Sequence, residues 1–197
     1  MNQLEVLVEE KSMALILQVL LPKILPDGWI INENCFIRTH EGKQDLQHSI
    51  PNKLRAAARM RLNIGFIIIQ DQDSDNCKNL KSKLLTLCHD ALPNSRIPIC
   101  IRIVCHELES WYLGDCIALE RVFSRFRASD YQNKRLFRNP DDCVNPKQRL
   151  KSIVGEYPQV DTARRIAPLL DPSNNRSFCF RVFVQGVHSI CKQLEEL

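Results

Sequence analysis

The chain has 197 residues, which is enough for one domain or for one core with an appendage. Hydrophobic residues make up 44% and charged residues 25%, as in an ordinary globular protein, and no apolar stretch is long enough to span a membrane. The net charge of +4 permits a nucleic-acid partner without requiring one.

Residues 1–123 alternate between strand and helix patterns. Short β-branched apolar runs predict strands at residues 4–8, 29–37, 64–69 and 97–105. Longer periodic segments predict helices at residues 13–25, 50–60, 77–92 and 107–123. This alternation is typical of an α/β fold in which helices flank a parallel sheet.

The pattern changes after residue 123. Residues 125–146 are polar and rich in turn formers. Helices are predicted after this segment, at residues 147–154, 161–169 and 177–196. We therefore expect residues 124–197 to form a helical C-terminal extension that packs on the α/β core of residues 1–123, so that the chain is one compact unit.

Asp71, Asp73 and Asp75 follow directly on the apolar run of residues 64–69. Such a run is typical of a strand buried on both faces of a parallel sheet, and ligands bind at the carboxyl ends of these strands. Like charges crowded there repel one another unless a cation lies among them. Because hard divalent cations prefer oxygen ligands, the sequence predicts a metal site at Asp71 and Asp73.

A structural role accounts for part of this acidic segment. Asp and Ser are common helix caps and turn formers, and we expect Ser74 or Asp75 to cap the helix that begins near Asn76. Capping explains one acid well but does not explain three. An EF-hand is excluded, because its sixth and twelfth positions, counted from Asp71, hold Asn76 and Ser82 instead of Gly and Glu.

Two other predicted strands also end in acids. Glu9 and Glu10 follow the first strand, and Glu107 and Glu109 follow the fourth. Acids in the first turn of a helix are also favoured by the helix dipole, which is the alternative explanation. Since the carboxyl ends of parallel strands share one edge of the sheet, we expect the acids to converge there, with Glu107 as a further candidate ligand.

Carboxylates from several strand ends suit phosphoryl transfer with Mg²⁺ or Mn²⁺. Such ions orient a phosphodiester, activate water and stabilise the leaving oxygen, and two or three carboxylates suffice because Mg²⁺ keeps several waters. A nearby lysine would complement the charge of the transition state. Lys11, Lys43 and Lys78 lie next to the predicted acidic edge.

Two segments of the chain are strongly basic. The first contains Lys53, Arg55, Arg59 and Arg61, and the second contains Arg121, Arg125, Arg127, Lys134, Arg135 and Arg138. Both a solvated protein surface and a track for phosphates produce such segments, so charge alone leaves the two alternatives open.

Trp111 and the cysteines are predicted to be structural. Leu108, Tyr112 and Leu113 give Trp111 apolar neighbours, and the acidic surroundings disfavour stacking on nucleic acid. The nine cysteines form no C-x-x-C pair, so we expect no zinc site. Free thiols and an N-terminus without the pattern of a signal peptide predict a cytoplasmic protein.

The strand-end acids resemble those of the Toprim domain of topoisomerases, primases, recombination proteins and nucleases of the overcoming-lysogenization-defect type. Val8-Glu9 matches the Toprim strand-end Glu, and Asp71-Gln72-Asp73 matches its D-x-D motif. The sequence departs from the commonest Toprim pattern at Glu10, where a Gly is usual, and at Met13, near which an acid is usual.

The similarity is closer to a widespread bacterial family of Toprim-like proteins known only as a domain of unknown function. Its signatures run from residue 8 to residue 180 as Val8-Glu9-Glu10-x-Ser12, Gly42-Lys43-x-Asp45-Leu46, Asp71-x-Asp73-x-Asp75-x-Cys77-x-x-Leu80-Lys81, Glu107-Leu108-Glu109-x-Trp111-Tyr112-Leu113-Gly114-Asp115 and Asn175-Arg176-Ser177-x-x-Phe180. This resemblance implies a Toprim-like sheet over almost the whole chain.

The resemblance also implies a nuclease that acts on DNA or RNA with Mg²⁺ or Mn²⁺, in phage defence, beside a partner ATPase. It makes Glu9 a general base or metal ligand, Asp71 and Asp73 metal ligands, Glu107 a further ligand and Lys43 a phosphate contact. The chain has no G-x-x-x-x-G-K-[ST] loop of its own. The alternative is a non-catalytic regulatory subunit whose long C-terminal helix docks on the ATPase.

Overall fold

A computed structural model describes residues 2–197 and has a four-stranded sheet at its centre. The strands are β1 (Asn2–Val8), β2 (Cys35–Thr39), β3 (Asn63–Asp71) and β4 (Ile99–Val104). All pairs are parallel, and the strand order is β2-β1-β3-β4. The prediction of an α/β fold with a parallel sheet flanked by helices is therefore confirmed.

Three helices connect the strands, namely α1 (Lys11–Ile24), α2 (Lys43–Ala57) and α3 (Cys77–Ala91). The helices after β4 are α4 (Glu109–Leu113), α5 (Cys116–Val122), α6 (Ala128–Tyr131), α7 (Arg135–Arg138), α8 (Pro146–Val154), α9 (Gln159–Ile166) and α10 (Phe178–Glu195). Within residues 2–197, no helix has the length and apolar character needed to cross a lipid bilayer.

Two predicted elements differ from the structure. The helix predicted at residues 107–123 is divided, because α4 ends at Gly114 and Asp115 begins α5 by accepting a hydrogen bond from the Ala118 N–H at 2.9 Å. The strand predicted at residues 29–37 begins only at Cys35. The preceding residues form a turn in which the Asn34 side chain accepts the Ile30 N–H at 2.8 Å.

The core lies on both faces of the sheet. In β3, Ile67 and Ile69 face the cluster that contains α1 and α10, whereas Phe66 and Ile68 face the cluster that contains α2 and α3. This alternation explains why the strand is apolar without interruption: side chains on either face are covered by helices.

The predicted C-terminal extension completes this core. The cluster on the α1 face contains residues from both sides of residue 123, and α10 packs directly on the sheet. A Cβ added at Gly65 would lie 2.9 Å from Leu194 Cδ1, so α10 lies close to β3 here and the Leu194 side chain would have to shift to accommodate a larger residue. One face of the sheet is thus covered largely by α10, which lies after the predicted boundary at residue 123.

Side chains cover part of the open edge of β4. The backbone carbonyls of Ile101 and Ile103 point away from β3, as the pairing register of the two strands requires. Arg102 Nη1 donates to the Ile101 carbonyl at 3.0 Å, and Cys179 Sγ donates to the Ile103 carbonyl at 3.2 Å. Two acceptors on the unpaired side of the strand are therefore already hydrogen-bonded.

Trp111 is fully buried, as predicted for a packing residue. Its ring centroid lies 5.1 Å from the rings of both Phe180 and Phe183. The Asn175 side chain donates to the Trp111 carbonyl at 2.8 Å and accepts the Ser177 N–H at 2.9 Å. The fourth and fifth signatures of the sequence thus form one packing unit that joins α4 to the start of α10.

Replacing Trp111 by Ala should lower the free energy of unfolding by about 3–5 kcal/mol, because the surrounding rings would line a cavity. Urea denaturation measures this change. Ile117→Ala is the matched control, since Ile117 is 52% exposed and its removal should change stability by less than about 0.5 kcal/mol. Unchanged stability in Trp111→Ala, with lost nucleic-acid affinity, would show that the ring belongs to a binding site.

Candidate metal centre at the carboxyl edge of the sheet

The acids that end β1 and β3 lie side by side. The two strands are adjacent and parallel, and their register places Val8 opposite Ile69. Glu9 therefore leaves the sheet beside Asp71, and its Oε2 accepts the Asp71 backbone N–H at 3.3 Å. Burial raises the pKa of Glu9, and the charge of Asp73 raises it further. The three acids predicted as metal ligands thus share one edge of the sheet.

Asp71 is the focus of the negative charge at this edge. Burial raises its pKa well above the usual value, and so do the neighbouring carboxylates of Glu9, Glu109, Glu10 and Asp73. These groups come from the ends of β1 and β3 and from the start of α4, the helix that follows β4. Each disfavours the ionised form of Asp71, so a cation bound here would relieve unfavourable electrostatic energy.

Hydrogen bonds between backbones fix the loop that carries Asp73. The Asp73 N–H donates to the His106 carbonyl at 2.7 Å, and the Gln72 N–H donates to the Val104 carbonyl at 2.9 Å. Asp73 and His106 both adopt left-handed conformations, with φ of 52° and 57°. Because backbone hydrogen bonds join them, the loops after β3 and β4 hold each other in place, with Asp73 and His106 in a conformation that few non-glycine residues adopt.

Lys43 forms ion pairs with two aspartates of the segment after β3. The helix predicted at residues 50–60 begins earlier, so Lys43 is the first residue of α2. Its Nζ lies 2.8 Å from Asp73 Oδ2 and 3.2 Å from Asp75 Oδ2. Burial alone would lower the pKa of Lys43, but its hydrogen bonds to the two aspartates raise the pKa above the usual value.

The expected cap of α3 is wrong. Neither Ser74 nor Asp75 caps the helix; instead Asn76 Oδ1 accepts the backbone N–H groups of Lys78 at 3.0 Å and Asn79 at 3.1 Å. An amide oxygen at this position satisfies the same donors as a carboxylate. The aspartates of the segment therefore do not cap α3, although Asp71 Oδ2 accepts the Leu108 N–H at 3.4 Å directly before α4.

The two acids after β4 have different surroundings. Glu107 is partly exposed, and its Oε2 accepts the Lys147 backbone N–H at 3.1 Å at the start of α8. Glu109 is buried, and its Oε1 accepts the Tyr157 hydroxyl at 2.6 Å. Glu109 also contributes to the raised pKa of Asp71. The role of Glu107 as a metal ligand stays a prediction. Glu109 lies close enough to Asp71 for its charge to affect the Asp71 carboxyl.

Side chains of the C-terminal half complete the site. Gln159 donates to Glu10 Oε1 at 2.6 Å and accepts the Lys147 ammonium at 2.6 Å. Together with Tyr157, these residues form a polar wall against the acids. Sequence reasoning missed all three, because no local motif connects them to the strand ends.

The residues at this edge fit a hard divalent cation in their chemistry. They offer carboxylate oxygens whose ionised forms are destabilised by burial and by one another. The buried Tyr112 hydroxyl, whose pKa is raised by burial and by Glu109 and Asp71, has no hydrogen-bond partner among residues 2–197. Among residues 2–197, no group of three His, Cys, Asp or Glu side chains is arranged to hold one metal ion. Shared coordination by Glu9, Asp71 and Asp73 therefore stays a prediction.

Fold and site together define an α/β protein with an acidic centre at the carboxyl edge of a parallel sheet. A family model described as a domain of unknown function, DUF4276, matches residues 8–188, and the chain belongs to this family. Neither the search of curated proteins nor that of solved structures found a match. Since the family description names no activity, the activity has to follow from the chemistry of the site.

Without divalent cations, stability should fall as pH rises, in part through Glu109. Burial raises the pKa of Glu109 from 4.5 to about 7, against the lowering effect of the Tyr157 hydrogen bond. The folded state therefore binds more protons than the unfolded state between these values, and its stability decreases as pH rises through that window.

Glu109→Gln should reduce this decrease, because the amide keeps an acceptor for Tyr157 and does not titrate. The measurement is urea denaturation in EDTA at several pH values between about 4.5 and about 7. Glu33→Gln, at an exposed position in the turn before β2, is the control and should keep the slope of the unmodified chain. Equal slopes for Glu109→Gln and the unmodified chain would contradict the assignment.

Proposed function

We propose that the chain is a divalent-metal-dependent phosphodiesterase that cleaves DNA or RNA. The observation that carries this proposal is the grouping of Glu9, Asp71 and Asp73 at one edge of the sheet, where Glu9 Oε2 accepts the Asp71 N–H at 3.3 Å. Burial and the neighbouring carboxylates raise the pKa of Asp71 there. Such a group of oxygen ligands is typical of centres for Mg²⁺ or Mn²⁺. The relationship to Toprim domains is part of the proposal and rests on the positions of Glu9, Asp71 and Asp73.

The proposed ligands are Glu9, Asp71 and Asp73, with Glu107 as a further candidate and Glu109 close to Asp71. When bound, the cation supplies charge stabilisation for a phosphodiester and its leaving oxygen. Lys43 is held by Asp73 and Asp75 and would contact a phosphate oxygen. If Glu9 does not bind the cation, its carboxylate would instead accept a proton from the attacking water.

The regulatory alternative keeps the exposed face of α10 as its docking element. Phe183, Val187 and Leu194 of α10 are buried in the core on one face of the sheet. The apolar face of this helix is therefore engaged within the chain, so docking on a partner ATPase would use the opposite face, which carries the exposed Phe178 and Arg181. An ATPase partner and a part in phage defence stay proposals that rest on the resemblance described above.

We also place the chain in the cytoplasm. The nine cysteines are all free thiols in the structure. A reducing compartment keeps such thiols from forming disulfides.

Asp71→Ala should abolish cleavage of labelled DNA or RNA in Mg²⁺ or Mn²⁺ without lowering the melting temperature in EDTA. Removing one of several crowded like charges relieves repulsion, so the variant should unfold at the same or a higher temperature. Mn²⁺ should raise the melting temperature of the unmodified chain and have a smaller effect on the variant.

The matched control is Asp27→Ala, which removes an exposed acid from the turn after α1. This variant should keep both cleavage and the response to Mn²⁺. A melting temperature many degrees lower for Asp71→Ala would assign Asp71 a structural role. Binding of Mn²⁺ without cleavage, alone or with an ATPase, would favour the regulatory alternative.

Lys43→Met should weaken cleavage and strengthen Mn²⁺ binding. The ammonium competes with a metal ion for Asp73, and an ion pair of this exposure is worth at most about 1 kcal/mol, so affinity should rise by up to about fivefold. Calorimetric titration with Mn²⁺ measures the affinity. A loss of Mn²⁺ binding in this variant would show that Lys43 positions the ligands instead of competing for them.

A further inference from the structure

A polar cleft of about 550 Å³ opens between the segment after α5 and the end of α8. Arg125 and Arg165 line it from opposite segments, and Glu156 is the one acid among its lining residues. Part of the second basic segment of the sequence lines this cleft. The acidic centre does not account for the positive charge of that segment.

One of the two guanidinium groups is held in place, and the other is free to bind. Arg165 Nη2 donates to the Val122 carbonyl at 2.5 Å, and its Nη1 lies 3.7 Å from Asp161. Arg125 is exposed and makes no ion pair within residues 2–197. A positioned guanidinium beside an unpaired one suits the fork-like recognition of phosphate oxygens.

The positive charge extends beyond these two side chains. Arg121 and Arg127 are also exposed and form no ion pair with a carboxylate in the described part of the chain. Two later cations of the same basic segment have local partners, since Lys134 lies over the Tyr131 ring at 4.2 Å and Arg135 pairs with Asp142. Arg138, the last cation of the segment, is exposed and forms no ion pair among residues 2–197. Three of the four cations that lack an ion pair or a ring contact therefore lie at the cleft end of the segment.

The cleft adjoins the acidic centre through its own wall. Glu156 lines the cleft, and the next residue, Tyr157, donates its hydroxyl to Glu109. Consecutive Cα atoms are about 3.8 Å apart, so the cleft begins one residue from the polar wall of the site. The segment that carries Glu156 and Tyr157 therefore borders both the cleft and the acidic centre.

We propose that this cleft binds phosphate groups of a nucleic-acid strand that flank the phosphodiester held at the acidic centre, with Arg125 and Arg165 as the contacts. This inference rests on the proposed function and makes it more specific: the substrate is a polymer that reaches beyond the scissile phosphate. The negatively charged centre repels phosphates in the absence of a metal ion, so the cleft supplies the attraction that the centre lacks.

The test is the affinity of the full chain for a fluorescein-labelled single-stranded DNA oligonucleotide in EDTA, measured by anisotropy at several salt concentrations. Arg125→Gln should weaken binding severalfold and reduce the salt dependence by about 0.7 for the phosphate contact that is lost. Glu156→Gln should tighten binding, because it removes the acid from the cleft. Arg96→Gln, which removes an exposed charge from the turn before β4, should change neither quantity.

Inorganic phosphate distinguishes a site for a polymer from a site for a free anion. If phosphate binds in an Arg125-dependent way while oligonucleotide affinity is the same in Arg125→Gln, the proposal is wrong. The proposal is also wrong if the oligonucleotide does not bind, or if Arg125→Gln and Arg96→Gln weaken its binding equally.

Cleavage separates this inference from the proposed function. Hydrolysis of a small phosphodiester, bis(p-nitrophenyl) phosphate, should be the same in Arg125→Gln, whereas the KM for an oligonucleotide should rise. Arg125-dependent binding without any cleavage in Mg²⁺ or Mn²⁺ would support the cleft and contradict the nuclease. Cleavage with a KM that does not respond to Arg125→Gln would support the nuclease and contradict the cleft.

Discussion

Repulsion among carboxylates at the carboxyl edge of the sheet is the constraint on which the rest of this structure depends. The parallel pairing of β1 with β3 forces Glu9 and Asp71 together, whatever the cost in electrostatic energy. The surrounding chain offsets part of this cost. Lys43 reaches the acids from α2, and Tyr157 and Gln159 donate hydrogen bonds to them from the C-terminal half. A crossover helix and the C-terminal half of the chain thus both contribute contacts to the acids at this edge of the sheet.

The sheet and the main acids could be predicted because their signals are local. An uninterrupted β-branched run identifies a doubly covered strand, and the rule that parallel strands share their carboxyl edge places Glu9 beside Asp71. The exact ends of the helices were harder to predict from the sequence. Asn76 and Asp75 are equally good caps by residue type, and only the position of Lys43 shows why the aspartate is used elsewhere.

The remaining parts of the site depend on contacts between distant parts of the chain. The Gln159 bond to Glu10 joins residues 149 positions apart, and the Tyr157 bond to Glu109 joins residues 48 positions apart. Nothing in the spacing of Glu107 and Glu109 shows which of them turns toward Asp71. The orientation of each acid depends on its hydrogen bond: the first turn of α8 donates to the Glu107 carboxylate, and Tyr157 donates to the Glu109 carboxylate.

The covered edge of β4 has a consequence for how copies of this protein meet. A small open sheet normally presents unpaired backbone groups that can template the addition of a strand from another molecule, which is the first step of edge-to-edge aggregation. Here the Ile101 and Ile103 carbonyls are hydrogen-bonded to Arg102 and Cys179. An incoming strand would have to displace both side chains before it could pair, so the sheet is protected against growth at this edge.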